Sequence, residues 1–144
     1  MSESRSTFAH PVGRWFWFLG LVQAAHSIGE MRMGLYDFFG MATGRIHAWI
    51  PIFPQMRMTA VAFAVLNMGL IALLFGAAPF VATGKSWARL VAWVVGVGEV
   101  FNGLNHLAGA IVFGGYVSGA LTAPLLLIGG IGLLGALHRA RPLA

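Results

Sequence analysis

The stretch Arg14–Glu30, RWFWFLGLVQAAHSIGE, decides how this chain folds. It opens on a cation followed by Trp15, Phe16, Trp17 and Phe18, the side chains that collect at a membrane interface. It then runs apolar, interrupted by Gln23, His26 and Glu30 at offsets of three and four. A helix turns about 100° per residue, so the three polar groups share one face. A second stretch, Trp87–Phe113, repeats the design with Glu99, Asn102 and His106 at the same offsets. Each polar stripe is about 10 Å long at 1.5 Å of rise per residue. A charged residue at mid-span costs about 2.5–3.5 kcal/mol on insertion scales, so ionisable groups kept there mark a functional site.

Composition agrees with a membrane location. Of 144 residues, 58% are hydrophobic and 9% charged, too few charges to cover a soluble domain of this size. A spanning helix needs about 20 apolar residues. The expected fold is therefore an all-α integral membrane protein, a four-transmembrane-helix bundle with spans near 14–30, 58–81, 87–113 and 117–137. Residues 1–13 read as a flexible lead, 14–138 as the membrane domain and 139–144 as a tail. Between the first two spans, Pro51 and Pro54 break any long helix. That segment reads as an interfacial loop with one or two short helices lying on the bilayer. Val22-Gln23-Ala24 faintly resembles a signal-peptide cleavage site, but Gln23 and Glu30 fit a retained span better. Gly119, Gly129, Gly130, Gly132 and Gly135 in the last span read as close packing within the bundle in preference to a homodimer seam.

Charge sets the orientation and excludes one class of partner. The net charge of +5 is scattered over span ends without forming a basic stripe, which argues against nucleic acid. Arg5, Arg14, Lys85, Arg89, Arg139 and Arg141 fall on one side; Arg32, Arg45 and Arg57 fall on the other. The richer side is expected to be cytoplasmic, giving a bacterial-type inner-membrane protein with both termini inside. No cysteine is present, so disulfides and thiolate metal sites are excluded.

The two stripes then combine into one candidate site. Counting inward from Arg14 and from Trp87 sets His26 level with Glu99, and Glu30 a turn below His106. In an acid–base reading on a lipophilic small molecule, Glu30 and Glu99 accept protons, His26 and His106 shuttle them, and Asn102 orients its partners. In a metal reading, His26, Glu30, Glu99 and His106 are the ligands, a set that suits Zn, Mn or Fe. His26 and His106 also offer axial ligands for a haem. A proton-coupled transporter or channel subunit, with a path shared across a dimer, is the alternative. The plainest reading is a structural or accessory subunit whose polar groups only fix helix packing. His47 reads as an interfacial histidine, or as a cap on the site from outside.

At these residues the chain resembles a small multipass bacterial family named for its HXXEE motif. That family pairs HXXEE with Asn-Ala-x-x-His and Tyr-x-Pro-Gly motifs. They correspond here to His26-Ser27-Ile28-Gly29-Glu30, to Asn102-Gly103-Leu104-Asn105-His106 and to Tyr116-Val117-Ser118-Gly119. Order and spacing match over about Arg14 to Leu127. Gly29 replaces the first Glu, Gly103 the Ala and Ser118 the Pro, leaving Glu99 as the carboxylate available to stand in for the missing one. The resemblance implies a multipass membrane protein and marks His26, Glu30, Asn102 and His106 without naming a reaction.

Overall fold

The computed structural model describes residues 11–140, which form five helices and no strand. They are α1 (Pro11–Arg32), α2 (Leu35–Trp49), α3 (Ala60–Ala82), α4 (Ser86–Val112) and α5 (Ala123–Arg139). The fold is all-α. By length and composition α3 is the one described helix long and apolar enough to cross a membrane, with a mean hydropathy of 2.2. α5 is apolar but spans 17 residues.

Two boundaries differ from expectation. α1 begins at Pro11, where proline's fixed φ suits a first helical turn, so the end of the expected lead is helical. The rest of the lead and residues 141–144, with Arg5, His10 and Arg141, lie outside the described residues. The segment between α1 and α3 holds one helix, α2 of 15 residues, within the one or two expected there, and it is opened by Gly34 at φ 67°. The last helix starts at Ala123, not near Val117. Gly114 and Gly119 adopt φ of 66° and 86°, a left-handed backbone that ends α4 and delays α5.

One apolar cluster fixes the helix directions. It joins Val12 at the start of α1, Val81 at the end of α3, Ala88 at the start of α4 and Leu137 at the end of α5. α1 and α4 therefore run parallel, with α3 and α5 antiparallel to them. α1 packs between α3 and α5, while α4 lies chiefly on α5. This leaves the apolar core at one end of the bundle and brings the C-terminal halves of α1 and α4 together at the other. Arg89 of α4 donates to the carbonyl oxygens of Leu137 (2.8 Å) and Ala140 (2.9 Å), satisfying acceptors that the end of α5 leaves open.

Gly129, Gly130 and Gly132 of α5 face its neighbours inside the bundle. A Cβ on Gly129 would lie 2.6 Å from Leu19 of α1; one on Gly130 would lie 2.7 Å from Val100 and 3.0 Å from the Gly96 carbonyl of α4. Gly130→Ala should therefore lower the melting temperature, with overpacking costing about 1–3 kcal/mol against about 1 kcal/mol of helix propensity gained. Gly76→Ala in α3 meets nothing within 4 Å and should melt at or above wild type. Melting of the two purified variants in one detergent checks this. A Gly130→Ala protein as stable as Gly76→Ala would refute the close α4–α5 approach.

Candidate functional site

His26 and Glu30 stand one turn apart on α1, so both side chains project from the same face. His106 reaches them from α4. The Glu30 Oε1 atom lies 3.1 Å from His26 Nε2 and 3.0 Å from His106 Nε2. The two Nε2 atoms are 3.2 Å apart, and the rings meet edge to face with centroids 4.6 Å apart. All three residues are buried, and His26 is fully so. Three donor atoms from two helices thus converge on one point.

The turn between α4 and α5 closes over this point. Gly119 packs so tightly that a Cβ would fall 2.5 Å from His26 Cε1 and 2.7 Å from His106 Cε1. Space and the left-handed φ both require glycine there. Ser118 Oγ sits 3.5 Å from the carbonyl oxygen of Gly29, tying the turn to α1. Thr122 occupies the N-cap of α5 without making the usual side-chain cap bond. Its Oγ1 lies 2.7 Å from His26 Nδ1 and 3.1 Å from the Gly119 carbonyl oxygen. A capping hydroxyl has been diverted to hold an imidazole.

The other expected residues lie elsewhere. Gln23 does not join His26 and Glu30: its amide donates to Ser27 Oγ (3.0 Å), and Ser27 donates to Asn67 Oδ1 (2.6 Å) on α3. Asn67 donates in turn to the Phe63 carbonyl (3.0 Å). Gln23 and Ser27, four apart, face α3, whereas His26 and Glu30 face α4 and the closing turn. His26 is opposite His106, not Glu99. α4 is five residues longer than α1, and α1 starts three residues ahead of Arg14 whereas α4 starts one ahead of Trp87, so equal counts from those two residues slip by seven. Counted from their ends the register is plain, since His26 precedes Arg32 by six residues and His106 precedes Val112 by six.

Glu99 is buried and lies outside the three-residue cluster. Asn102 hydrogen-bonds its carboxylate, while Oε2 has no hydrogen-bond partner among the described residues. His47 is remote from the cluster: its Nδ1 pairs with the Phe53 carbonyl (2.7 Å), stitching α2 to the segment after it. Ser27 and Thr122 carry roles that the sequence reading missed. Ser27 is an unremarked small residue, but Thr122-Ala123-Pro124 has the form of a helix start, and a polar residue there beside a buried histidine is a usable signal.

Fold and site together define an all-helical protein closed over a buried centre of two histidines and one carboxylate. The chain belongs to the HXXEE-motif family: the model of that family, described as a protein of unknown function with HXXEE motif, matches residues 17–131. No curated protein and no solved structure matches the chain. Motif residues His26, Glu30, His106 and Gly119 all meet in the cluster. Gly29, at the position of the first motif Glu, lies off it, since a Cβ there would touch nothing within 4 Å. At Gly103 a Cβ would fall 2.9 Å from the Ala123 carbonyl oxygen, so the glycine lets α5 start hard against α4.

Gly119→Ala should displace both imidazoles and force a strained φ, lowering stability by about 1–3 kcal/mol. Gly115→Ala, in the same turn but with open space around it, should be close to neutral. The pair can be compared by thermal melts alongside the histidine ring resonances. Equal melts and unmoved ring signals would mean that Gly119 does not pack on the two rings.

Proposed function

We propose that this protein is a four-span membrane bundle, α1, α3, α4 and α5, whose His26–Glu30–His106 cluster performs chemistry on a lipophilic small molecule. The observation that carries this reading is the inversion of polarity across the bundle. Large apolar side chains point outward on every one of these helices, among them Leu21 (61% exposed), Val65 (65%), Phe101 (67%) and Ile131 (62%). Gln23, His26, Ser27, Glu30, Asn67, Glu99 and His106 point inward. A water-soluble bundle is built the other way, and apolar surface of this extent requires covering. α1 and α4 carry most of the polar interior, which lowers their apolarity.

In this reading α2 lies on the outer surface of the bilayer and both termini face the cytoplasm. Glu30 Oε1 is within hydrogen-bond reach of both Nε2 atoms, so a proton can be held by either ring or by the carboxylate at small displacement. A substrate that partitions into the bilayer reaches such a site laterally, between helices, without entering water.

Two measurements test the two halves of the proposal. Because the chain has no cysteine, single cysteines at Gly84 and Gly115 report sidedness cleanly with a membrane-impermeant maleimide on intact cells. Gly115→Cys should label from outside and Gly84→Cys only after lysis; labelling of both from the same side, or extraction of the protein by alkaline carbonate, removes the four-span reading. For the chemistry, purified protein is incubated with total membrane lipid extract and the mixture profiled by mass spectrometry. Wild type should deplete an apolar component, and His106→Ala and Glu30→Gln should slow this at least about 100-fold while still folding. No depletion by wild type, or equal depletion by these variants, rejects the catalytic assignment.

A further inference from the structure

We infer that His26 Nε2, His106 Nε2 and Glu30 Oε1 are the three protein ligands of one divalent transition-metal ion, with Thr122 setting the tautomer of His26. The inference deepens the proposed chemistry by assigning the cluster a cofactor, and rests on that reading only for what the ion would do.

While Glu30 is ionised, protons on the two rings cannot satisfy the cluster. Its three donor atoms form a near-equilateral triangle with edges of 3.0, 3.1 and 3.2 Å. Each edge needs one hydrogen to be a bond, and each neutral imidazole carries one N–H in all. With both hydrogens on Nε2, the edge between the rings sets two N–H groups against each other. With either moved to Nδ1, a bare nitrogen lone pair faces a carboxylate oxygen. One cation satisfies all three edges. Bonds of about 2.0–2.2 Å to a common tetrahedral ion place ligand atoms about 3.3–3.5 Å apart, so the triangle needs to open by only a few tenths of an ångström.

The surroundings of His26 support the same assignment. The Thr122 hydroxyl has one hydrogen and two neighbours, the Gly119 carbonyl at 3.1 Å and His26 Nδ1 at 2.7 Å. A carbonyl only accepts, so a hydroxyl donating to Gly119 accepts from Nδ1–H. That leaves His26 Nε2 unprotonated and aimed at the cluster. An oxygen on the far ring nitrogen is the usual support of a metal-bound histidine. It also accounts for a threonine that occupies an N-cap yet does not cap.

Ligand chemistry narrows the ion. Two imidazoles and a carboxylate suit Zn²⁺, Fe²⁺ or Mn²⁺, with a position left for water or substrate. Ca²⁺ and Mg²⁺ prefer all-oxygen sets, and a soft ion such as Cu⁺ prefers the thiolates this chain lacks. Glu99 is not a ligand in this assignment, because it lies outside the triangle.

The test is titration of chelator-treated full-length protein, purified on a tag without histidines, with Co²⁺ and then Zn²⁺. Wild type should bind one Co²⁺ per chain with visible absorption bands of a four-coordinate site, bleached by one equivalent of Zn²⁺. Glu30→Gln, nearly isosteric and expected to fold, and His106→Ala should abolish those bands. Thr122→Val should weaken binding about 10–100-fold and Thr122→Ser should restore most of it. Glu99→Gln should retain the full equivalent. Folded wild type that takes up no ion overturns the inference, as does uptake that Glu30→Gln and His106→Ala leave unchanged. Lipid depletion by metal-free protein would sink the metal and spare the catalytic reading. A bound ion with no depletion would do the reverse.

Discussion

The structure turns on keeping one carboxylate away from water. Glu30 is buried at the end of the bundle, and a carboxylate there is tolerable only with donors or a cation at both sides of it. The α4 helix brings His106, α1 itself brings His26, and the α4–α5 turn holds His26 from behind through Thr122. Those requirements explain features that look unrelated along the chain. α4 must be long enough to carry His106 to the level of Glu30. The turn must contain a glycine at 119, because any side chain would occupy the space of the two rings. α5 must start late, so that Thr122 falls above His26.

The apolar half of the molecule serves that arrangement as a scaffold. Val12, Phe16, Leu19, Ala92, Leu133 and Leu137 fill the bundle away from the cluster. Glycines on α5 draw it onto α1 and α4 at once, and Arg89 ties off its last turn. The Gln23–Ser27–Asn67 chain does for α1 and α3 what the histidines do for α1 and α4, with neutral groups. It is separate from the charged cluster, and the two networks divide the polar face of α1 between them. Packing glue and candidate chemistry therefore coexist on one helix but fall on different residues.

Much of this was legible in the sequence, for stated physical reasons. Helical periodicity places His26 with Glu30 and identifies α4 as the partner helix, because ionisable residues stand out against an apolar background. The motif triplet adds Gly119, whose role is visible only when the turn is folded over both rings. Register was the weak point. Aromatic and cationic residues mark where a helix meets an interface, but they do not say how far it extends past that interface. α1 starts ahead of Arg14 and α4 outruns α1, so equal counts from Arg14 and Trp87 pair the wrong levels. Thr122 was hidden by the assumption that the last helix began near Val117, which put it inside a helix and not at its cap.

The cluster bears directly on the HXXEE motif in this chain. Its first Glu is glycine here, yet the triangle is complete, because position 29 points off the cluster while position 30 points into it. Residues 26 and 30 are one helical turn apart, and both side chains reach the common point. In this chain the cluster is built on His-x-x-x-Glu, and position 29 contributes no side chain to it. Glu99 lies outside the cluster, seven residues from His106 and about 10 Å along α4. Buried, with one oxygen lacking a hydrogen-bond partner among the described residues, it is a second polar feature of the interior, held by Asn102.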